Sequence, residues 1–217
     1  MSQSNHEAGY RRFRRAMQDG SLQPGMIVTQ NKLCAILGLS LTPLRETLVL
    51  LEEFGLVEVK SRAGIRIVYP EIKFISENFQ FRSVIELHAV RVFAPVVPRE
   101  WLRHIREKHE QIHHQLGQGD LTAETEQAFS NLDSELHLAF VRSLENQAIT
   151  AVYERIMDNI NLARQVHDRT AARKRILDST LEHLAIIESL EKGDADAATT
   201  NLELHFKAAT YRTIVAA

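Results

Sequence analysis

Apolar positions in the first seventy residues change period once, from helical to alternating. Tyr10, Phe13 and Met17 recur at i, i+3 and i+7, one face of a first helix, with Arg11, Arg12, Arg14 and Arg15 around it. Pro24-Gly25 ends that segment. Thr29 is placed to cap a second helix carrying Leu33, Ile36 and Leu37, and Gly38 to stop it. Thr42-Pro43 sets a capping hydroxyl before a proline, which predicts a third helix over 44–54, closed by Gly55. Two short helices joined by about four residues around a glycine have the form of a helix-turn-helix. The period then falls to two: 56–59 and 65–68 are β-prone runs joined by a basic tip over 60–64, which predicts a two-stranded hairpin. A hairpin in that position is a wing, and Pro70 stops it within a hinge over 69–73.

From Phe74 onward no strand pattern competes with helix. Breakers at Pro95, Pro98, 117–120, Asn146, 168–170 and Gly193-Asp194 divide the rest into about six helices. Two are long, over 122–144 and 146–167, and Asp194 is a good N-cap for the last. The expected fold is mainly α: a winged helix-turn-helix over 1–70 and an all-helical bundle over 71–217.

Composition narrows the class. The chain has 217 residues, 44% hydrophobic and 25% charged, too apolar for a disordered chain. The single cysteine, Cys34, makes no internal disulfide, so a reducing, cytoplasmic setting is expected. The N-terminus is polar rather than signal-like, and no apolar run approaches the roughly 18 to 20 residues that span a bilayer. The net charge of −2 divides unevenly: residues 1–70 hold nine Lys/Arg against six Asp/Glu, and the remainder is acidic. Histidine divides too, with His6 in the first part and the other nine in the second.

Polar residues at core positions of the second part carry the chemistry. Phe129, Leu132, Leu136 and Phe140 mark an apolar face with Asp133 and His137 along its edge. An i, i+4 pair sits about 40° apart around a helix, close enough to share one ion. Ile176, Thr180, His183, Ile187 and Leu190 form another stripe, and Ala198, Leu202, His205 and Ala209 a third. Three helices thus each bring an imidazole inward, one with a carboxylate beside it. Imidazole with carboxylate suits Zn, Ni, Mn or Fe. Any one of these histidines alone reads as an ordinary buried residue, but an unpaired aspartate in a core costs several kcal/mol, so Asp133 calls for a cation. His104, His109, His113 and His114 fall on several faces of one helix and are expected to be solvated. Glu110 and His113 make one Glu-x-x-His pair, where a di-iron site of the ferritin type needs two. Arg82 and Glu86 read equally as a surface ion pair or as part of a ligand pocket.

In the first part the chemistry is phosphate and base contact. Arg45 on the third helix, Arg62 near the wing tip, Lys32 on the second helix and the arginines of the first supply the positive surface that duplex DNA requires. The charge is modest for one copy, so a dimer is expected.

Pro24-Gly25, the run Leu33-Cys34-Ala35-Ile36-Leu37-Gly38-Leu39-Ser40, Thr42-Pro43-Leu44-Arg45-Glu46, Leu51, Gly55-Leu56-Val57 and Gly64 together resemble the GntR-type winged helix-turn-helix. Arg82-x-x-x-Glu86, Asp133-x-x-x-His137 with Asn146 following, Glu182-His183 and His205 resemble the helical FCD-type ligand-binding domain of the FadR/VanR branch. The resemblance implies a homodimeric transcription factor, usually a repressor, that binds double-stranded operator DNA. It further implies a small-molecule effector, often an organic acid, bound in some members through a divalent metal such as Zn, Ni or Mn. On that resemblance the metal ligands are Asp133, His137, His183 and His205, and Arg82, with Glu86 beside it, meets an anionic effector. DNA contacts fall at Asn31, Ser40, Leu41, Thr42, Arg45 and the wing around Gly64. Asn31 and Leu41 stand where relatives carry arginine, and neither reproduces the bidentate guanine contact.

Two other readings use the same residues. A metal-dependent enzyme would hold a hydroxide at Asp133, His137, His183 and His205, but the sequence offers no dedicated general base beside them. A purely structural metal would leave DNA binding constitutive.

Overall fold

The structure, a computed structural model, describes residues 2–53, 55–60, 64–68, 72–164 and 169–215. Two compact units emerge, one formed by residues 1–71 with 161–165 and the other by 72–160 with 166–217.

In the first unit α1 (Ser2–Gln18), α2 (Gln30–Leu37) and α3 (Leu41–Glu53) surround a core of Phe13, Leu22, Leu33, Leu44, Leu51 and Leu56. The Thr29 hydroxyl accepts from the Lys32 amide at 3.2 Å, and Gly38 turns left-handed at φ 60° to end α2. The α2 and α3 axes bend by 95°, the angle of a helix-turn-helix. Helix α3 starts three residues earlier than Thr42-Pro43 suggested: the Leu44 amide bonds Ser40 at 3.1 Å, which leaves Pro43 inside the first turn. Amides there have no intrahelical partner, so the proline costs the helix nothing. Arg12 departs from its expected place on a DNA-facing surface. Its Nη1 donates to the Leu37 carbonyl at 3.1 Å and the Gly38 carbonyl at 2.5 Å, where a cation meets the negative end of α2.

The wing has three strands instead of two. Strands β2 (Val57–Lys60) and β3 (Gly64–Ile67) form the expected hairpin, and β1 (Ile27–Val28) adds to the other edge of β3, giving antiparallel order β1-β3-β2. Two residues are too few to show a period, so β1 leaves no trace in the hydrophobic pattern. Gly64 is required where these strands meet: its φ is 102°, and a Cβ there would lie 2.8 Å from the Val28 carbonyl oxygen.

The second unit consists of α4 (Ile72–Phe93), α5 (Arg99–Gln118), α6 (Ala123–Arg142), α7 (Gln147–Arg164), α8 (Arg169–Glu191) and α9 (Ala195–Val215). Of the expected hinge, 69–71 lie outside the described residues and Lys73 is already helical. Thr122 accepts from the Thr125 amide at 3.2 Å, and Asp194 from the Ala197 amide at 2.8 Å, so α6 and α9 begin where their caps predict. Helix α4 packs on α9 and α6, α5 packs on α8 and α6, and α8 packs on α9. These five helices close a ring around an apolar core of Ile105, Leu136, Phe140, Ile176, Ile187 and Leu202. Among the described residues no single helix is long and apolar enough to cross a membrane.

Candidate functional site

Every helix of the ring interrupts its apolar stripe with polar side chains. Helix α4 places Arg82 and Glu86 between Phe79 and Ala89, α5 places His109 between Ile105 and Ile112, and α6 brings Asp133 and His137. His183 on α8 and His205 on α9 complete the set. All but Asp133, at 3%, are fully removed from solvent. Buried polar groups at this density hold one another or a ligand.

Ligand atoms of His137, His183 and His205 lie within 4.8 Å of one another. The Nε2 atoms of His137 and His183 are 3.3 Å apart, and Asp133 Oδ1 stands 3.8 and 3.6 Å from them. The outer nitrogens are occupied. His137 Nδ1 lies 2.6 Å from Glu86 Oε2, and His205 Nδ1 lies 2.8 Å from Glu182 Oε2. A carboxylate accepts, so both imidazoles carry a hydrogen on Nδ1, and in the neutral form of each ring Nε2 is the nitrogen left with a lone pair. Burial pushes His205 down to about 4 against the pull of Glu182, and burial with repulsion from His205 pushes His183 well below its ordinary value. Neutral imidazoles are the form that binds metals. His205 Nε2 is buried without a hydrogen-bond partner. A 3.3 Å separation of two lone pairs matches nitrogens sharing one ion at about 2.0–2.1 Å. The donor set therefore fits a divalent cation: a buried, unpartnered Nε2, inward lone pairs and an adjacent carboxylate.

Arg82 and Glu86 are no surface pair. Both are fully buried, with Arg82 Nε donating to Glu86 Oε1 at 2.6 Å, because they sit on the same stripe as Phe79 and Phe93. Tyr153 of α7 donates to that oxygen at 2.8 Å. Burial alone would raise the Glu86 carboxyl, but His137 and Arg82 hold it below the ordinary range. The Arg82 guanidinium lies over the Phe206 ring at 5.0 Å, and its Nη1 and Nη2 are buried without partners. Two unused donors on a fixed cation are suited to an anionic group. Arg212 holds Glu182 through both terminal nitrogens at 2.7 Å; burial opposes the charge there, but Arg212 and His205 bring Glu182 down to about 2.

In the first unit Asn31 and Lys32 open α2, while Ser40, Leu41, Thr42 and Arg45 lie before and along the first turns of α3, and all six are exposed. Gly64 opens β3, and Arg62 lies outside the described residues. Leu41 leaves 44% of its surface in solvent, an exposed apolar residue at the entry to the second helix of the motif.

His109 is the clearest departure from the sequence reading, being fully buried where solvation was expected. The spacing Leu102, Ile105, His109, Ile112, Leu116 is one apolar stripe, so its burial was readable had the position been tested alone instead of with His104 and His114, which are exposed. Tyr153, Glu182 and Arg212 were also missed as members of the network. Their partners lie on other helices, which no spacing along one helix can reveal.

Comparison with known proteins identifies both units. Residues 6–67 match the model of the bacterial regulatory proteins of the gntR family, and residues 77–208 match the FCD domain. The HTH-type transcriptional regulator YdhC of Bacillus subtilis strain 168 is 25% identical over 197 residues, covering 91% of this chain and 85% of that one. A Rhodococcus sp. RHA1 protein described as a GntR transcriptional regulator superimposes with a TM-score of 0.75 over 100% of both chains at 21% identity. The metal-free FCD domain of the regulator TM0439 superimposes with a TM-score of 0.56 at 27% identity, covering 67% of this chain and 94% of that one. The chain belongs to the gntR family of bacterial regulatory proteins, a DNA-binding transcription regulator whose helical unit is an FCD domain.

Proposed function

We propose that the protein is a cytoplasmic, metabolite-responsive repressor in which residues 1–70 bind operator DNA and residues 71–217 bind a small organic acid at a divalent ion, Zn, Ni or Mn. The ligands of that ion are Asp133, His137, His183 and His205. One observation carries the reading: imidazoles from three helices turn Nε2 toward a common point, and that of His205 has no partner. When bound, the ion supplies an electrophilic centre for a carboxylate oxygen. Arg82 meets the same anion through Nη1 and Nη2, and Glu86 fixes both Arg82 and His137.

On the DNA side, Asn31, Lys32, Ser40, Leu41, Thr42, Arg45, Arg62 and the backbone around Gly64 form the contact surface, with α3 in the major groove. Homodimerisation is supported by Phe81, Val84 and Val92, which share one face of α4 at 50%, 75% and 38% exposure.

The test is metal analysis of the purified chain, followed by melting with and without chelator and a screen of small carboxylates. A bound divalent ion whose removal lowers the Tm, and a carboxylate whose stabilisation vanishes with chelator, is the expected result. A metal present at 1,000 times its Kd contributes about 4 kcal/mol. A chain without metal, unmoved by chelator, would overturn the metal reading and leave the DNA-binding head standing. Loss of Tm alone, with operator affinity unaffected by chelator and carboxylate, would make the ion structural.

A further inference from the structure

We propose that His109 is a positioning residue: it fixes the tautomer of His183 so that the third imidazole, like the other two, turns a bare Nε2 toward the metal site. This rests on the metal reading above and concerns a residue that does not itself touch the ion.

The argument is a chain of hydrogen-bond roles starting at the backbone of α5. His109 Nδ1 lies 2.7 Å from the Ile105 carbonyl oxygen. A carbonyl only accepts, so Nδ1 carries the hydrogen. A fully buried, neutral imidazole has one hydrogen, which leaves a lone pair on His109 Nε2. That nitrogen is 3.0 Å from His183 Nδ1. One of the two must donate, and His109 Nε2 has nothing to give, so His183 carries its hydrogen on Nδ1. Its Nε2 is therefore bare, 3.3 Å from Nε2 of His137, whose Nδ1 hydrogen faces Glu86. No arrangement of neutral rings places a hydrogen between those two nitrogens without breaking either the Glu86 contact or the relay from Ile105. A cation resolves the opposition.

The three backings differ in charge. Glu86 and Glu182 are carboxylates, while the support for His183 is a neutral ring. Partners of this kind set ligand orientation and basicity, and their loss typically lowers metal affinity 10–100-fold. With Asp133 also at the site, a third carboxylate backing would add negative charge where an anionic effector has to enter. His109 gives the same tautomer control without that charge.

The first measurement is the ring 15N spectrum of histidine-labelled, full-length, chelator-treated protein, which reports which nitrogen is protonated. The expected result is hydrogen on Nδ1 of both His109 and His183. Hydrogen on Nε2 of His183 overturns the proposal. The second is Zn(II) affinity, by competition with a chromophoric chelator, for wild type, His109→Leu and His109→Gln. Leucine removes the acceptor, whereas the glutamine side-chain oxygen reaches toward the same place. The expected result is a 10–100-fold weaker Kd for His109→Leu, most of it recovered in His109→Gln, whatever either change does to the apo Tm. Unchanged affinity in His109→Leu overturns the relay and leaves the metal site intact, and equal losses in both variants reduce His109 to packing. Should His109→Leu fail to fold, the wild-type spectrum and His109→Gln decide. A wild type that binds no Zn(II) overturns the metal reading, and the relay falls with it.

Discussion

Ionisable residues of the ring are held away from their ordinary titration ranges, and this makes stability depend on pH in a stated direction. Burial drives His109 and His205 down to about 4, so both are neutral in the folded chain at pH 7. Between their ordinary value near 6.5 and about 4 the unfolded chain binds protons that the folded chain does not, so stability falls as pH falls through that window. The slope is up to ~1.4 kcal/mol per pH unit for each histidine. Glu182, held down to about 2 against its burial by Arg212 and His205, extends the loss below pH ~4.5, where the unfolded carboxyl protonates first. Melting of chelator-treated protein from pH 8 to 4 should show a level Tm above about 7 and a steady fall below about 6.5. A Tm that stays level to pH 4.5 would mean that these rings are protonated or solvated in the fold. At this scale the sequence was legible wherever a polar residue sat on an apolar stripe considered by itself: Asp133, His137, His183 and His205 were found that way. Arg82, Glu86 and His109 obey the same spacing, and each was obscured by a competing local pattern, an i, i+4 ion pair in one case and a histidine cluster in the other.

Elements meet at particular side chains, and the head gives a direct test. Helix α1 crosses α3 at Gly9, where an added Cβ would overlap the Thr47 side chain, itself fully buried with its hydroxyl bonded to the Pro43 carbonyl at 2.8 Å. Gly9→Ala gains about 1 kcal/mol of helix propensity, but overpacking costs about 1–3 kcal/mol, so a net loss of stability is expected, together with weaker operator binding as α3 shifts. Denaturant unfolding of Gly9→Ala and of Gly9→Ala/Thr47→Ala would read this. The double variant should recover part of the loss because the overlapping atoms are gone, and a Gly9→Ala more stable than wild type would show that the helices do not approach there. Helix number and caps in the second unit were legible because Thr122, Asn146 and Asp194 each supply a side-chain oxygen to amides of the helix that follows. Strand β1 and the early start of α3 were not. The first has two residues and no period, and the second is set by Ser40, whose backbone carbonyl does the work in place of a side chain.

For the molecule as a whole, the proposed function makes regulation a coupling free energy between a first unit that is net basic and a helical domain that is net acidic and rich in histidine. Such couplings are typically 1–3 kcal/mol, a factor of about 5–150 in affinity, and they act in both directions. If a carboxylate bound with the ion weakens operator binding by some factor, saturating operator must weaken carboxylate binding by the same factor. The measurement is a pair of titrations on metal-loaded protein: operator affinity with and without saturating carboxylate, and carboxylate affinity with and without saturating operator duplex. Equal factors are expected, and both should fall to one in His183→Ala if the ion is the link. Unequal factors would show that a further species, such as a change in oligomeric state, enters one titration and not the other. Equal factors that persist in His183→Ala would move the link from the ion to Arg82, whose Nη1 and Nη2 are buried without partners beside the histidines. Because α4 carries both Arg82 and Glu86, whose carboxylate holds His137, either cation would report the effector through the same helix.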